Sequence, residues 1–83
     1  MSFTVYIIYS ERLDKHYIGY TKDVNVRLMQ HNNGFSTFTA KANDWKLVYQ
    51  EFFTTREEAQ KREKAIKAKK SRKYIEWLIA QVG

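Results

Sequence analysis

The chain has 83 residues, 43% of them hydrophobic and 16% aromatic, with no cysteine, no proline and a formal net charge of +6. That length accommodates one hydrophobic core, so a single domain over residues 1–83 is expected, and the apolar content excludes a disordered tail. Lack of cysteine excludes a disulfide scaffold and fits a reducing, cytoplasmic setting. No apolar run is long enough to span a bilayer, so no membrane partner is expected.

Phe3-Thr4-Val5-Tyr6-Ile7-Ile8-Tyr9 is rich in β-branched and aromatic residues and reads as a buried strand. Leu13-Asp14-Lys15 is a turn, and His16 to Gly19 is the returning strand of a hairpin. Thr21 is placed to cap a helix from about Lys22 to Asn32, with Gly34 as its stop. Gly34 to Asp44 is a polar loop carrying Phe35 and Phe38, which could stack on an unpaired base or anchor the loop to the core. Trp45 to Phe53 is the third strand.

Thr55-Arg56-Glu57-Glu58 has the form of a capping box and opens a second helix to about Lys69. Ser71 caps a third, in which Tyr74, Trp77, Leu78 and Val82 recur at helical spacing, with Trp77 expected in the core. The order β-β-α-β-α-α specifies an α+β fold, a three-stranded antiparallel sheet flanked by helices.

Between Arg56 and Lys73 there are nine basic residues and three acids, so the entire excess of +6 lies in one segment. Such concentration favours a polyanion, nucleic acid first, although a solvated helix face has the same composition. Lys41, Arg62, Lys67 and Lys70 are the candidate phosphate contacts.

The informative misfits are ionisable groups on apolar faces. At about 100° per residue, Val24, Leu28 and His31 share one face of the first helix, and Arg27 borders it. Glu63 falls between Ala59 and Ile66 on the inward stripe of the second. A lone carboxylate there costs several kcal/mol unless paired or metal-bound, and an Arg27–Glu63 ion pair is the simplest structural solution. Tyr6 and Tyr17, on paired strands, can face the same side, where strand tyrosines also serve simply as core. A carboxylate to hold a metal, a guanidinium to offset phosphate charge and a base to activate water are the groups phosphodiester hydrolysis needs.

These residues, in this order, resemble a known family. Thr4-Val5-Tyr6, then Tyr17-Ile18-Gly19 and Thr21, then Arg27 and His31, and Glu63 after a third strand are similar to the GIY-YIG nuclease superfamily. They are most similar to its small stand-alone members related to the N-terminal nuclease domain of the excinuclease subunit UvrC, which suggests DNA repair. The resemblance implies a DNA endonuclease using one Mg²⁺ or Mn²⁺ ion. Glu63 would be the metal ligand and Arg27 would stabilise the transition state. Tyr6 and Tyr17 would hold or activate the attacking water, with the choice of base open. His31 would transfer a proton or bind phosphate.

Two positions depart from the pattern: Thr4 stands where the first motif has glycine, and the tail from Ser71 to Ile79 lacks the asparagine many members carry. With no added DNA-binding segment, cleavage would be directed by DNA structure, or by a protein partner supplying specificity. The alternative is a nucleic-acid-binding module with weak or no catalysis on the same scaffold.

Overall fold

The computed structural model describes residues 2–81. Its elements are β1 (Phe3–Ser10), β2 (Lys15–Thr21), α1 (Val24–Asn32), a 3-10 turn (Thr39–Lys41), β3 (Lys46–Phe53), α2 (Arg56–Ala68) and α3 (Arg72–Ala80). The sheet is antiparallel in the order β2-β1-β3. The first strand in sequence is therefore the central one, covered on both faces. This accounts for its unbroken apolar run, since alternation is lost when neither side meets water.

The two faces carry separate clusters. Val5, Ile7 and Ile18 pack with Ala59 and Ile66 of α2 and Leu78 of α3. Tyr6 and Ile8 face the other way, with Ala42, Trp45, Val24, Leu28 and Leu47. One irregularity joins them. Ile7 pairs with Tyr49 but Ile8 with Leu47, so Val48 is an extra residue at a β-bulge. The bulge lets Val48 and Tyr49 pack on the α2 side while Leu47 packs on the α1 side.

The helix starts follow local chemistry. Asp23, not Thr21, caps α1, its carboxylate accepting from the Asn25 and Val26 amides. A carboxylate also suits the positive end of the helix dipole. Thr21 instead accepts from the Asp23 amide, which shifts the helix start to Val24. Thr55 and Ser71 cap α2 and α3 as expected, accepting from the Glu58 and Tyr74 amides. Trp45 precedes β3, where its backbone amide donates to Asn32 Oδ1 and the Asn32 amide group donates to its carbonyl.

Trp77 is not core: it is 56% exposed and stacks at the surface on Tyr74, leaving Leu78 as the buried residue of α3. Val82, expected on the same helix face, lies outside the described residues. Arg72 ties α3 to the hairpin turn, donating to Asp14 Oδ1 at 2.6 Å and Oδ2 at 3.2 Å. Asp14 itself sits at φ +52°, a left-handed position that aspartate tolerates better than most residues.

Candidate active site

Tyr6 lies at the centre of β1 with Gly19 as its cross-strand partner on β2. A Cβ at residue 19 would stand 2.6 Å from the Tyr6 hydroxyl oxygen and 2.8 Å from Cζ. The glycine of the Tyr-Ile-Gly stretch is therefore the space into which the phenol lies down across β2. Tyr17 pairs with Ile8, which puts it on the same face two residues from Gly19, its ring centroid 6.5 Å from that of Tyr6. Tyr6 is buried and Tyr17 half-buried.

His31 reaches the pair from the last turn of α1, its ring 5.8 Å from that of Tyr6 and 4.9 Å from that of Tyr17. It has no solvent exposure. Its Nε2 is 2.7 Å from the Tyr6 hydroxyl, and its Nδ1 is 2.7 Å from Oγ1 of Thr39, which is equally buried. Burial, reinforced by the nearby Arg27 charge, pushes the imidazole pKa down to about 4, so His31 is neutral at physiological pH. With both nitrogens engaged inside the protein, His31 has no atom free for a phosphate.

Burial raises the Tyr6 hydroxyl to about 12, and Tyr17 and the Glu63 charge push the same way, while Arg27 opposes them. Arg27 and Glu63, on two different helices, thus both act on one phenol. They do not pair with each other among the described residues. Arg27 donates to Gln30 Oε1 at 3.0 Å, and the partner of Glu63 is Lys67, 3.4 Å away one turn along α2. The same Lys67 ammonium lies 5.8 Å from the Tyr17 ring centroid. The five expected catalytic residues and one of the expected cations are therefore neighbours.

Beyond Lys67, a groove of about 350 Å³ runs between the hairpin and the α2–α3 junction, lined in part by Lys15, His16, Lys70 and Arg72. Lys41 is exposed at the end of the 3-10 turn. Arg62 behaves differently. Its Nε donates to both Glu51 oxygens, its Nη2 to Oε2 at 3.0 Å, and its Nη1 to the Tyr74 hydroxyl. A guanidinium held this way at the β3 edge of the sheet is a brace between α2, β3 and α3, because bidentate geometry spends its donors. Phe38 is partly exposed with its ring 5.7 Å from that of Tyr17, whereas Phe35 is 72% exposed. One loop phenylalanine anchors, and the other does not.

The GIY-YIG catalytic domain family matches residues 2–75. The chain belongs to the GIY-YIG family. That family is one of nucleases, and its members generally use divalent metal ions. A UPF0213 protein of Staphylococcus epidermidis is 52% identical over 52 residues, covering 61% of this chain and 63% of its own. The chain thus spans less than two thirds of that relative's length. A UPF0213 protein of Staphylococcus saprophyticus is 43% identical over 68 residues, covering 66% of this chain and 83% of its own. The solution NMR structure of a UPF0213 protein from Bacillus halodurans has 32% identity and a TM-score of 0.62, covering all of this GIY-YIG chain and 87% of the other. These names state no activity.

Among the described residues of this GIY-YIG domain, no three His, Cys, Asp or Glu side chains cluster as a ready-made metal cage. The donor set offered beside the tyrosines is the single carboxylate of Glu63. That fits a hard ion of the Mg²⁺ type, which keeps most of its waters and takes one or two carboxylates plus substrate phosphate oxygens.

The residues that reading the chain missed are Gly19, as the seat of the Tyr6 phenol, and Thr39, as the partner of His31. For Gly19 the turn expected at Leu13–Lys15 would have set it opposite Tyr9; the turn instead spans residues 11–14, pairing Ser10 with Lys15 and hence Tyr6 with Gly19. For Thr39 there was no signal, because a threonine in a polar loop carries no periodicity.

Proposed function

We propose that this GIY-YIG protein is a one-domain, cytoplasmic, metal-dependent DNA endonuclease directed by DNA structure, with sequence preference, where needed, supplied by a protein partner. The observation that carries this reading is that Tyr6, Tyr17 and His31 pack together at a point on which the charges of Arg27 and Glu63 both act. Tyr6 and His31 satisfy each other inside the core, whereas the half-buried Arg27 and Glu63 flank them without pairing with each other, which is the arrangement a charged substrate would use.

Glu63 would hold one Mg²⁺ or Mn²⁺ ion, exchanging Lys67 for it. When bound, the ion neutralises phosphate charge and acidifies water. Arg27 offsets the charge that develops on the non-bridging phosphate oxygens. Tyr6 and Tyr17 position the attacking water, and His31, neutral and hydrogen-bonded to Tyr6, takes up the proton. Lys67, Lys70 and Lys41 bind flanking phosphates, a salt-dependent contribution that favours no sequence.

The test is cleavage of supercoiled plasmid and of single-stranded, flapped and branched oligonucleotides with Mg²⁺ or Mn²⁺, comparing wild type with Glu63→Ala and Arg27→Ala. Metal-dependent nicking lost in both variants supports the proposal. Wild-type protein that binds every substrate and cleaves none makes the domain a nucleic-acid-binding module instead.

A further inference from the structure

The hydrogen-bond chain through His31 has a direction, and one end of it fixes the other. Tyr6 is buried, and its hydroxyl proton needs an acceptor. Arg27, the cation facing it, has only donors. The acceptor within reach is His31 Nε2, at 2.7 Å. If Nε2 accepts, a neutral ring carries its proton on Nδ1, which then donates to Thr39 Oγ1 at 2.7 Å. Thr39 in turn has the Ser36 carbonyl as an outlet for its own hydroxyl proton, at 3.5 Å.

The opposite tautomer fails at Tyr6. Nε2–H would donate to the phenol oxygen, and the phenolic proton would be left beside a guanidinium with no acceptor. Thr39 is also held in place independently of His31. It is buried in the 3-10 turn, where its backbone carbonyl accepts from the Trp45 indole N–H at 2.9 Å.

We infer that Thr39 is a positioning residue that locks His31 in the Nδ1–H tautomer and thereby makes Tyr6, rather than Tyr17, the group that accepts the proton of the attacking water. This rests on the nuclease reading of the same site. With its own proton directed at His31, the Tyr6 oxygen offers its lone pairs to the water. As the water oxygen bonds to phosphorus, a water proton passes to Tyr6 and the phenolic proton passes to His31 Nε2, which becomes an imidazolium. The P–O ester bond opposite the attacking oxygen breaks, and the leaving oxygen is protonated by solvent. The imidazolium keeps its Nδ1–H bond to Thr39, so this anchor is the same before and after transfer, and His31 then returns its proton through Tyr6 to solvent.

The tautomer is read directly from the ¹⁵N chemical shifts and two-bond proton couplings of the His31 ring at pH 7, on the metal-free wild-type protein. The Nδ1–H form is expected, and the Nε2–H form would overturn the assignment outright. In Thr39→Val, which keeps the shape and loses the hydroxyl, a mixture of tautomers is expected. Plasmid nicking should fall about tenfold or more in kcat, general-base catalysis being worth roughly 10²–10⁴-fold in full, with KM for DNA unchanged. Thr39→Ser should restore both tautomer and rate. A Thr39→Val protein that folds, keeps pure Nδ1–H and loses no activity would refute the role. Because the tautomer is measured without substrate, wild-type protein that shows Nδ1–H but cleaves nothing overturns the nuclease reading alone.

Discussion

Acid should destabilise this protein through His31 before it touches the carboxylates. In the folded state the imidazole titrates at about 4, against an ordinary value of 6.5. Between those values the unfolded chain binds the proton and the folded chain does not. Stability is therefore fully present above pH 6.5 and is lost as pH falls towards 4. At about 1.4 kcal/mol per pKa unit, the interval corresponds to about 3 kcal/mol, or a fall in Tm on the order of 10–20 °C for a domain of this size. Asp14, held down to about 2 by Arg72 and Tyr9, loses its stabilisation only below the ordinary carboxylate value of 3.8, a separate window. The assay is urea denaturation at pH 7.0, 5.5 and 4.2 for wild type and His31→Gln, a variant that keeps a donor and an acceptor but cannot titrate. His16, also lowered by burial, is common to both proteins and cancels. Wild type should lose about 2–3 kcal/mol more than the variant across the range. Equal losses in the two proteins would show that His31 is not buried as a neutral group, and would remove the basis for its link to Tyr6.

Gly19→Ala should cost about 1–3 kcal/mol from overpacking against the Tyr6 hydroxyl, and should depress cleavage more than its stability loss explains; a variant with wild-type Tm and activity would mean that the phenol does not lie across β2. Lys67→Ala should reduce the slope of log K against log salt for DNA binding by about 0.9, whereas Arg62→Ala should leave the slope unchanged; equal slopes for both variants would contradict the division between a phosphate contact and a brace. Arg62→Ala should also lower stability by about 1 kcal/mol or less, since the pair with Glu51 is partly exposed, and chemical denaturation measures this. Trp77→Ala should change unfolding free energy by no more than about 0.5 kcal/mol, and a drop beyond 2 kcal/mol would place the indole in the core after all.

Much of the fold was legible because each element is locally consistent. A β-branched run, a hairpin turn and two hydroxyl caps before helical periodicity determine the order β-β-α-β-α-α almost alone. Trp77 went astray because periodicity on a single helix identifies a stripe but not its edges. Leu78 and Trp77 are adjacent, and only the docking angle of α3 decides which is covered. Asp23 displaced Thr21 because both are good caps two residues apart, and the carboxylate has the stronger claim on two amides. In the candidate site, Arg27, His31 and Glu63 stood out as charges or rings that the core pattern does not need. Thr39 did not, since its importance arises only when the loop folds back beneath α1. Arg62 was indistinguishable in sequence from Lys67, five positions along the same helix; its commitment to Glu51 depends on where β3 lies.

The bulge at Val48 has a consequence for how the length of this chain can vary. In a regular strand, one added or deleted residue turns every later side chain to the wrong face. Here Ile7 opposite Tyr49 and Ile8 opposite Leu47 already bracket a surplus residue, so excising Val48 would leave both pairs and both facings in place and remove only one side chain from the α2 cluster. A deletion two residues later, at Gln50, has no such slack, and would exchange the inward and outward positions of Glu51, Phe52 and Phe53. Strand β3 therefore carries a single point at which its length is negotiable, next to the central strand that holds Tyr6.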